Sequence, residues 1–152
     1  MKEKTIKTIK GCCIAAVVLM AIVFLFNTFF WIEFWRTAEW KDEIINWQRT
    51  MLIGDIGTYV LLTCSVIIFI SNVLRGLTEG MIFNRCNTYV IYAGAVLLFF
   101  NLFFSYTSQN AAEGIYVFAI DTEMLISPLL LVILGLLHKL AVEASEENNL
   151  TI

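Results

Sequence analysis

Charge is scarce in this sequence: only 15% of its 152 residues are Asp, Glu, Lys or Arg, where soluble domains carry roughly 25%. Set against 59% hydrophobic residues, that deficit argues against a fold solvated by water. The ten Lys and Arg residues are scattered and the net charge is −3, so no basic patch forms and no direct nucleic-acid partner is expected. Histidine occurs once, at His138, and the four cysteines, Cys12, Cys13, Cys64 and Cys86, make no C-x-x-C pair. A zinc site needs closely spaced Cys and His, so neither a metal nor a disulfide framework is expected. Cys12 and Cys13 read as small apolar fillers or as a lipidation site at the membrane edge. A glycine-rich phosphate loop, a nucleophile elbow and a zinc-protease motif are all missing. The expectation is a noncatalytic protein, with no catalytic residue, cofactor or metal.

In place of charge the chain has apolar length. Residues 12–32 form an uncharged run of 21, enough to cross a hydrocarbon core of about 30 Å at about 1.5 Å per residue. Further uncharged runs cover 56–74, 86–106 and 124–137. The expected fold is all-α: one domain, 1–152, built as a four-helix transmembrane bundle, with spans at about 12–32, 53–74, 86–107 and 120–140 and a tail over 141–152. Lys2, Lys4, Lys7 and Lys10 resemble the basic start of a signal peptide. The apolar run that follows is too long and lacks a small-residue cleavage site, so a retained anchor is expected. The fourth span is the least sharply bounded, because 115–120 adds a second apolar segment before Asp121. Pro128 falls near its start, where a missing N–H costs least.

Seven Lys and Arg residues lie on one side of these spans (Lys2, Lys4, Lys7, Lys10, Arg75, Arg85 and Lys139) and three on the other (Arg36, Lys41 and Arg49). By the positive-inside rule both termini are expected in the cytoplasm, in a multi-pass inner-membrane protein whose first partner is the lipid bilayer. In the first outer loop Trp40, Ile44, Trp47 and Met51 recur at spacings of 4, 3 and 4. That is the period of an amphipathic helix, expected over 38–50 at the membrane interface. All four tryptophans, Trp31 and Trp35 included, fall in this region, which suits a headgroup belt or a lid over an outer pocket.

The stretch 21–30 matches 95–104 at five of ten positions, at an offset of 74. Two helical hairpins of like orientation would produce such a match. It places Asn27 and Asn101 at similar depth, where their amides are expected to bond between helices or to line a cavity. Asp55, Asp121 and Glu123 fall at the outer starts of the second and fourth spans, favoured by the helix dipole. Inside the membrane Asp121 would instead mark an ion or proton pathway. Asn27, Asp55, Asn101 and Asp121 are thus the candidate polar cluster. His138 and Lys139 are expected to complement the last carbonyls of the fourth span. Gly54, Gly57 and Thr58, with Ala93, Gly94 and Ala95, let helices approach closely, within one chain or in a homo-oligomer.

Two further stretches, Gly80-Met-Ile-Phe83-Asn84-Arg-Cys-Asn87 and Glu146-Glu-Asn148-Asn-Leu150-Thr151-Ile152, resemble the bacterial four-helix membrane family catalogued as domain of unknown function 2975. The chain departs from that family just before the tail, where Ala141-Val-Glu-Ala-Ser145 stands in place of a Phe, a basic residue and a Gly. The resemblance implies a bacterial inner-membrane protein without assigned activity, often encoded beside a small helix-turn-helix regulator. Asn84 is expected to cap the third helix and Phe83 to pack back on the bundle. Phe83, Asn84, Asn148, Leu150, Thr151 and Ile152 are the candidate docking residues, for the chain itself or for a soluble partner. Sensing or relaying a signal through a small cytoplasmic transcription regulator is the leading functional expectation. A small transporter or channel for an ion or small solute, using the outer carboxylates and paired amides, is the alternative.

Overall fold

The computed structural model of the protein describes residues 3–79, 83–118, 120 and 122–150, without the side chains of 79, 123, 124 and 148–150. Its elements are α1 (Glu3–Thr37), α2 (Ile45–Glu79), α3 (Arg85–Ala112), a 3-10 turn (Thr122–Leu125) and α4 (Ile126–Leu150), with no strand among the described residues. All four α-helices are long and apolar enough to cross a membrane, consistent with a multi-pass membrane protein. One end of the bundle holds the start of α1, the end of α2, the start of α3 and the end of α4. This is the terminal end, and the opposite one is the loop end.

The tightest seam is α2 against α3, followed by α3 against α4. Its cause is legible in α3, whose buried residues are Asn87, Thr88, Gly94, Ala95, Asn101, Thr107, Ser108 and Ala111. None is larger than asparagine. In lipid, where apolar side chains gain little by leaving one another for the bilayer, small residues let backbones approach and dispersion accumulate. A methyl group at Gly54 of α2 would lie 2.5 Å from the Phe104 ring, and one at Gly135 of α4 would lie 2.7 Å from the Tyr92 ring. Gly57, by contrast, faces open space.

α1 is attached at one end only. Its buried residues are Trp31 and Phe34, which cluster with Leu52 and the partly buried Trp40, Ile56 and Tyr59 at the loop end. Ile14, Leu19, Leu25 and Phe26 are exposed, as suits side chains solvated by acyl tails. The two hairpins are therefore not packed alike: α1 meets α2 over far less of its length than α3 meets α4.

Three expectations need correction. No separate helix spans 38–50: α1 ends at Thr37, a turn follows, and Ile45–Glu79 is one helix. The Trp40–Met51 stripe exists, but Met51 is buried and Trp47 packs on Tyr116 and Phe118, with ring centroids at 4.7 and 5.9 Å. The apolar face thus turns inward under the 115–118 segment. That segment is not helical, because α3 closes in a Schellman motif: Gly114 at φ 69° donates to Ala111 O, and Ile115 donates to Asn110 O. Finally, α4 runs on to Leu150 through the expected tail, with Val142 buried, so His138 and Lys139 lie within the helix rather than at its end.

Candidate functional site

Asp55 sits about three turns into α2, 4% exposed, and not at a helix start as expected. Its carboxylate is held from two sides. Trp31 Nε1 of α1 donates to Oδ2 at 3.1 Å, and Asn101 Nδ2 of α3 donates to Oδ1 at 3.2 Å. The Asn101 amide also reaches Thr58 Oγ1 at 3.3 Å and the Asp55 carbonyl at 3.4 Å. Three helices converge on one carboxylate, with the Trp31 and Tyr59 rings edge to face at 5.5 Å beside it. The amides of Asn27 and Asn101 do not pair with each other: Asn27 Nδ2 bonds the carbonyl of Val23 on its own helix at 3.0 Å, and its side chain meets the Tyr59 hydroxyl. The reason lies in α1, which leans on α2 rather than α3. Asp121 lies outside the described residues.

Two turns further toward the loop end is Gln48, fully buried, which the sequence reading did not single out. Its Nε2 donates to Glu39 O at 2.8 Å and to Ala111 O at 2.7 Å, while its Oε1 accepts from Lys41 N at 3.1 Å. Lys41 Nζ in turn donates to Gly114 O at 2.9 Å. This single amide fixes the α1–α2 turn to the end of α3. The signal was available, since Gln48, Leu52, Asp55 and Tyr59 lie at helical spacing on one face of α2.

At the terminal end Asn84 caps α3, its side chain accepting from Cys86 N at 2.9 Å. Phe83 packs back on α4 against the His138 ring, centroids 5.8 Å apart, and Thr88 Oγ1 meets His138 Nδ1 at 2.9 Å. Arg85 grips Glu146 with two parallel bonds, Nε to Oε1 at 2.8 Å and an outer nitrogen to Oε2 at 2.6 Å. These bonds hold the Glu146 carboxyl below its ordinary range and push the Arg85 guanidinium up. Asn87 is fully buried, and both its amide atoms lack a partner. Of the tail residues, the side chains of Asn148 and Leu150, and Thr151 and Ile152 entirely, lie outside the described residues.

The described residues contain no group of three or more His, Cys, Asp or Glu side chains able to hold a metal. Chemically, the loop-end cluster is a three-helix tie and the terminal-end cluster a clasp between α3 and α4. Comparisons with protein-family models, with curated proteins and with solved structures find no match to this chain.

Proposed function

We propose that the chain is a noncatalytic inner-membrane protein of the bacterial four-helix family its two motif stretches resemble, with the terminal end in the cytoplasm. It relays a signal to a small helix-turn-helix regulator. The observation that carries this reading is the Arg85–Glu146 clasp. It unites the residues that follow the α2–α3 connection with the end of α4, and beside it stands Phe83, 48% exposed. An exposed aromatic ring flanked by a fixed charge pair is the kind of anchor a protein partner uses.

Transport would call for polar groups that continue across the membrane. Here the buried polar side chains among the described residues fall into two separate groups, Gln48, Asp55, Asn101, Thr107 and Ser108 toward the loop end and Asn87 and Thr88, beside the half-buried His138, toward the terminal end. Between them lie Gly94 and Ala95, and the Thr63 and Ser65 hydroxyls bond their own helix. This distribution favours a relay over a solute path.

The test is co-purification of the full-length protein with the regulator encoded beside it. Removing residues 148–152, or making Glu146→Arg, is expected to reduce recovery about tenfold, the loss of about 1.4 kcal/mol of binding. Unchanged recovery with both variants overturns the proposal.

A further inference from the structure

The outer face of the α3–α4 seam carries a furrow with two unlike halves. Toward the terminal end is a space of about 270 Å³ lined by Arg85, Tyr89, Tyr92, Lys139 and Glu143. The next space toward the loop end, about 310 Å³, is lined by Ala95, Val96, Phe99, Pro128, Leu129 and Val132, with no polar side chain. Thr88, Tyr92, Ala95 and Phe99 recur at spacings of 4, 3 and 4, and Pro128, Val132, Lys139 and Glu143 at 4, 7 and 4, so each helix supplies both halves from one face. The Tyr92 ring joins the halves, lying against Gly135, where a methyl group would meet it at 2.7 Å. Among the described residues no side chain of α1 or α2 lines either half, so the furrow opens on the bilayer and lipid covers it.

Depth and charge identify the lipid. Arg85 and Lys139 are the charges that bound the uncharged runs 86–106 and 124–137, which sets the polar half at headgroup level. From Pro128 to Lys139 is about 16 Å of helix at about 1.5 Å per residue, roughly half of a hydrocarbon core of about 30 Å. The apolar half is therefore the length of one acyl chain in one leaflet. Glu146 occupies Arg85 with two bonds, which leaves Lys139 and Glu143 as the charges open to a head. They stand 3.8 Å apart, beyond the roughly 2.7–3.2 Å of a hydrogen bond, so neither saturates the other. The mouth thus offers one charge of each sign. An anionic head would meet Glu143 unfavourably, and a trimethylammonium head has no N–H to give it. A head that carries both a phosphate and a primary ammonium satisfies the two side chains together.

We propose that the furrow holds one phospholipid of the phosphatidylethanolamine type, its phosphate on Lys139 beside Tyr89 and Tyr92, its ammonium on Glu143, and one acyl chain against Val96, Phe99 and Val132. The second chain stays among the bulk lipid. The site holds its lipid whether or not a regulator binds.

The test is native mass spectrometry of the full-length protein in detergent, titrated with phosphatidylethanolamine, phosphatidylcholine and phosphatidylglycerol of identical acyl chains. One phosphatidylethanolamine is expected to bind saturably, with an apparent Kd about fivefold below those of the other two, as suits charge contacts open to solvent. Lys139→Gln is expected to weaken that binding about fivefold, and Glu143→Gln to remove the preference over phosphatidylcholine. Both side chains are exposed, at 59% and 50%, so these two variants keep the fold. Val96→Trp from α3 and Val132→Trp from α4, at positions 56% and 38% exposed, fill the apolar half and are expected to abolish saturable binding. The two glutamine variants decide the matter should neither tryptophan variant fold. Equal affinities for the three lipids, or binding indifferent to both tryptophan variants, reports a nonspecific lipid shell and overturns the proposal. A preference that survives Lys139→Gln or Glu143→Gln, or phosphatidylglycerol bound as tightly as phosphatidylethanolamine, overturns it too.

Discussion

A carboxylate inside a membrane helix persists only where its oxygens are bonded, because hydrocarbon offers no substitute for water. Asp55 meets that condition through Trp31 and Asn101, and the two donors come from different helices, so the carboxylate is both a liability and a fastener. Asn101→Leu would leave Oδ1 without its donor and is expected to cost about 1–2 kcal/mol. Asn27→Leu, at a partly exposed position bonded mainly to its own helix, is expected to cost about 0.5 kcal/mol or less. Steric-trap or denaturant unfolding in bicelles measures both, and equal losses would mean that the three-helix tie is not what Asn101 contributes. Asp55 and Asn101 were legible as polar positions in apolar runs. Their partners were not, because Trp31 reads as an interfacial ring until the tilt of α1 is known, and Gln48 hides between Trp47 and Arg49 in a stretch whose tryptophans dominate the pattern.

Apolar run length set the four helices, since span length is dictated by the bilayer and by 1.5 Å of rise per residue. Where runs meet charge, length stops deciding and capping takes over. The sequence of 113–120 is apolar enough to suggest helix, but Gly114 in the left-handed region ends α3, and a β-carbon there would collide with the Lys41 side chain. At the other end of the seam, residues 141–150 are charged enough to suggest a loose tail, yet they extend α4 because Val142 buries and Glu146 reaches Arg85. The pH dependence of that clasp has a definite sign. The Glu146 carboxyl is held low in the folded state, so the attraction is present above the ordinary carboxylate range and is lost as pH falls through the lowered value. Spin labels at Tyr89 and Ala144, both exposed, are expected to show a narrow distance distribution at neutral pH that broadens in acid. Glu146→Gln is expected to be broad at both, and a width independent of pH in the unmodified chain would remove the clasp from the account.

On the scale of the whole molecule, the packing leaves α1 free along most of its length while α2, α3 and α4 form a seam around small and polar residues. Such an arrangement does not fix orientation by itself, because a helix that touches its neighbour mainly toward the loop end, from Phe24 to Phe34, gives the rest of the bundle little hold on which way it inserts. The charges have to do it. Seven of the ten Lys and Arg residues flank the terminal end, four of them ahead of the uncharged run of α1, and retention of Lys and Arg on the cytoplasmic side is the dominant orienting influence on short loops. Single cysteines at Glu113, toward the loop end, and at Ala144, toward the terminal end, both exposed, test this in a background where Cys12, Cys13, Cys64 and Cys86 are serine. A membrane-impermeant maleimide added to intact cells is expected to label Glu113→Cys at once and Ala144→Cys only after permeabilisation. The opposite pattern would put the Arg85–Glu146 clasp and Phe83 outside the cell, where no transcription regulator can reach them.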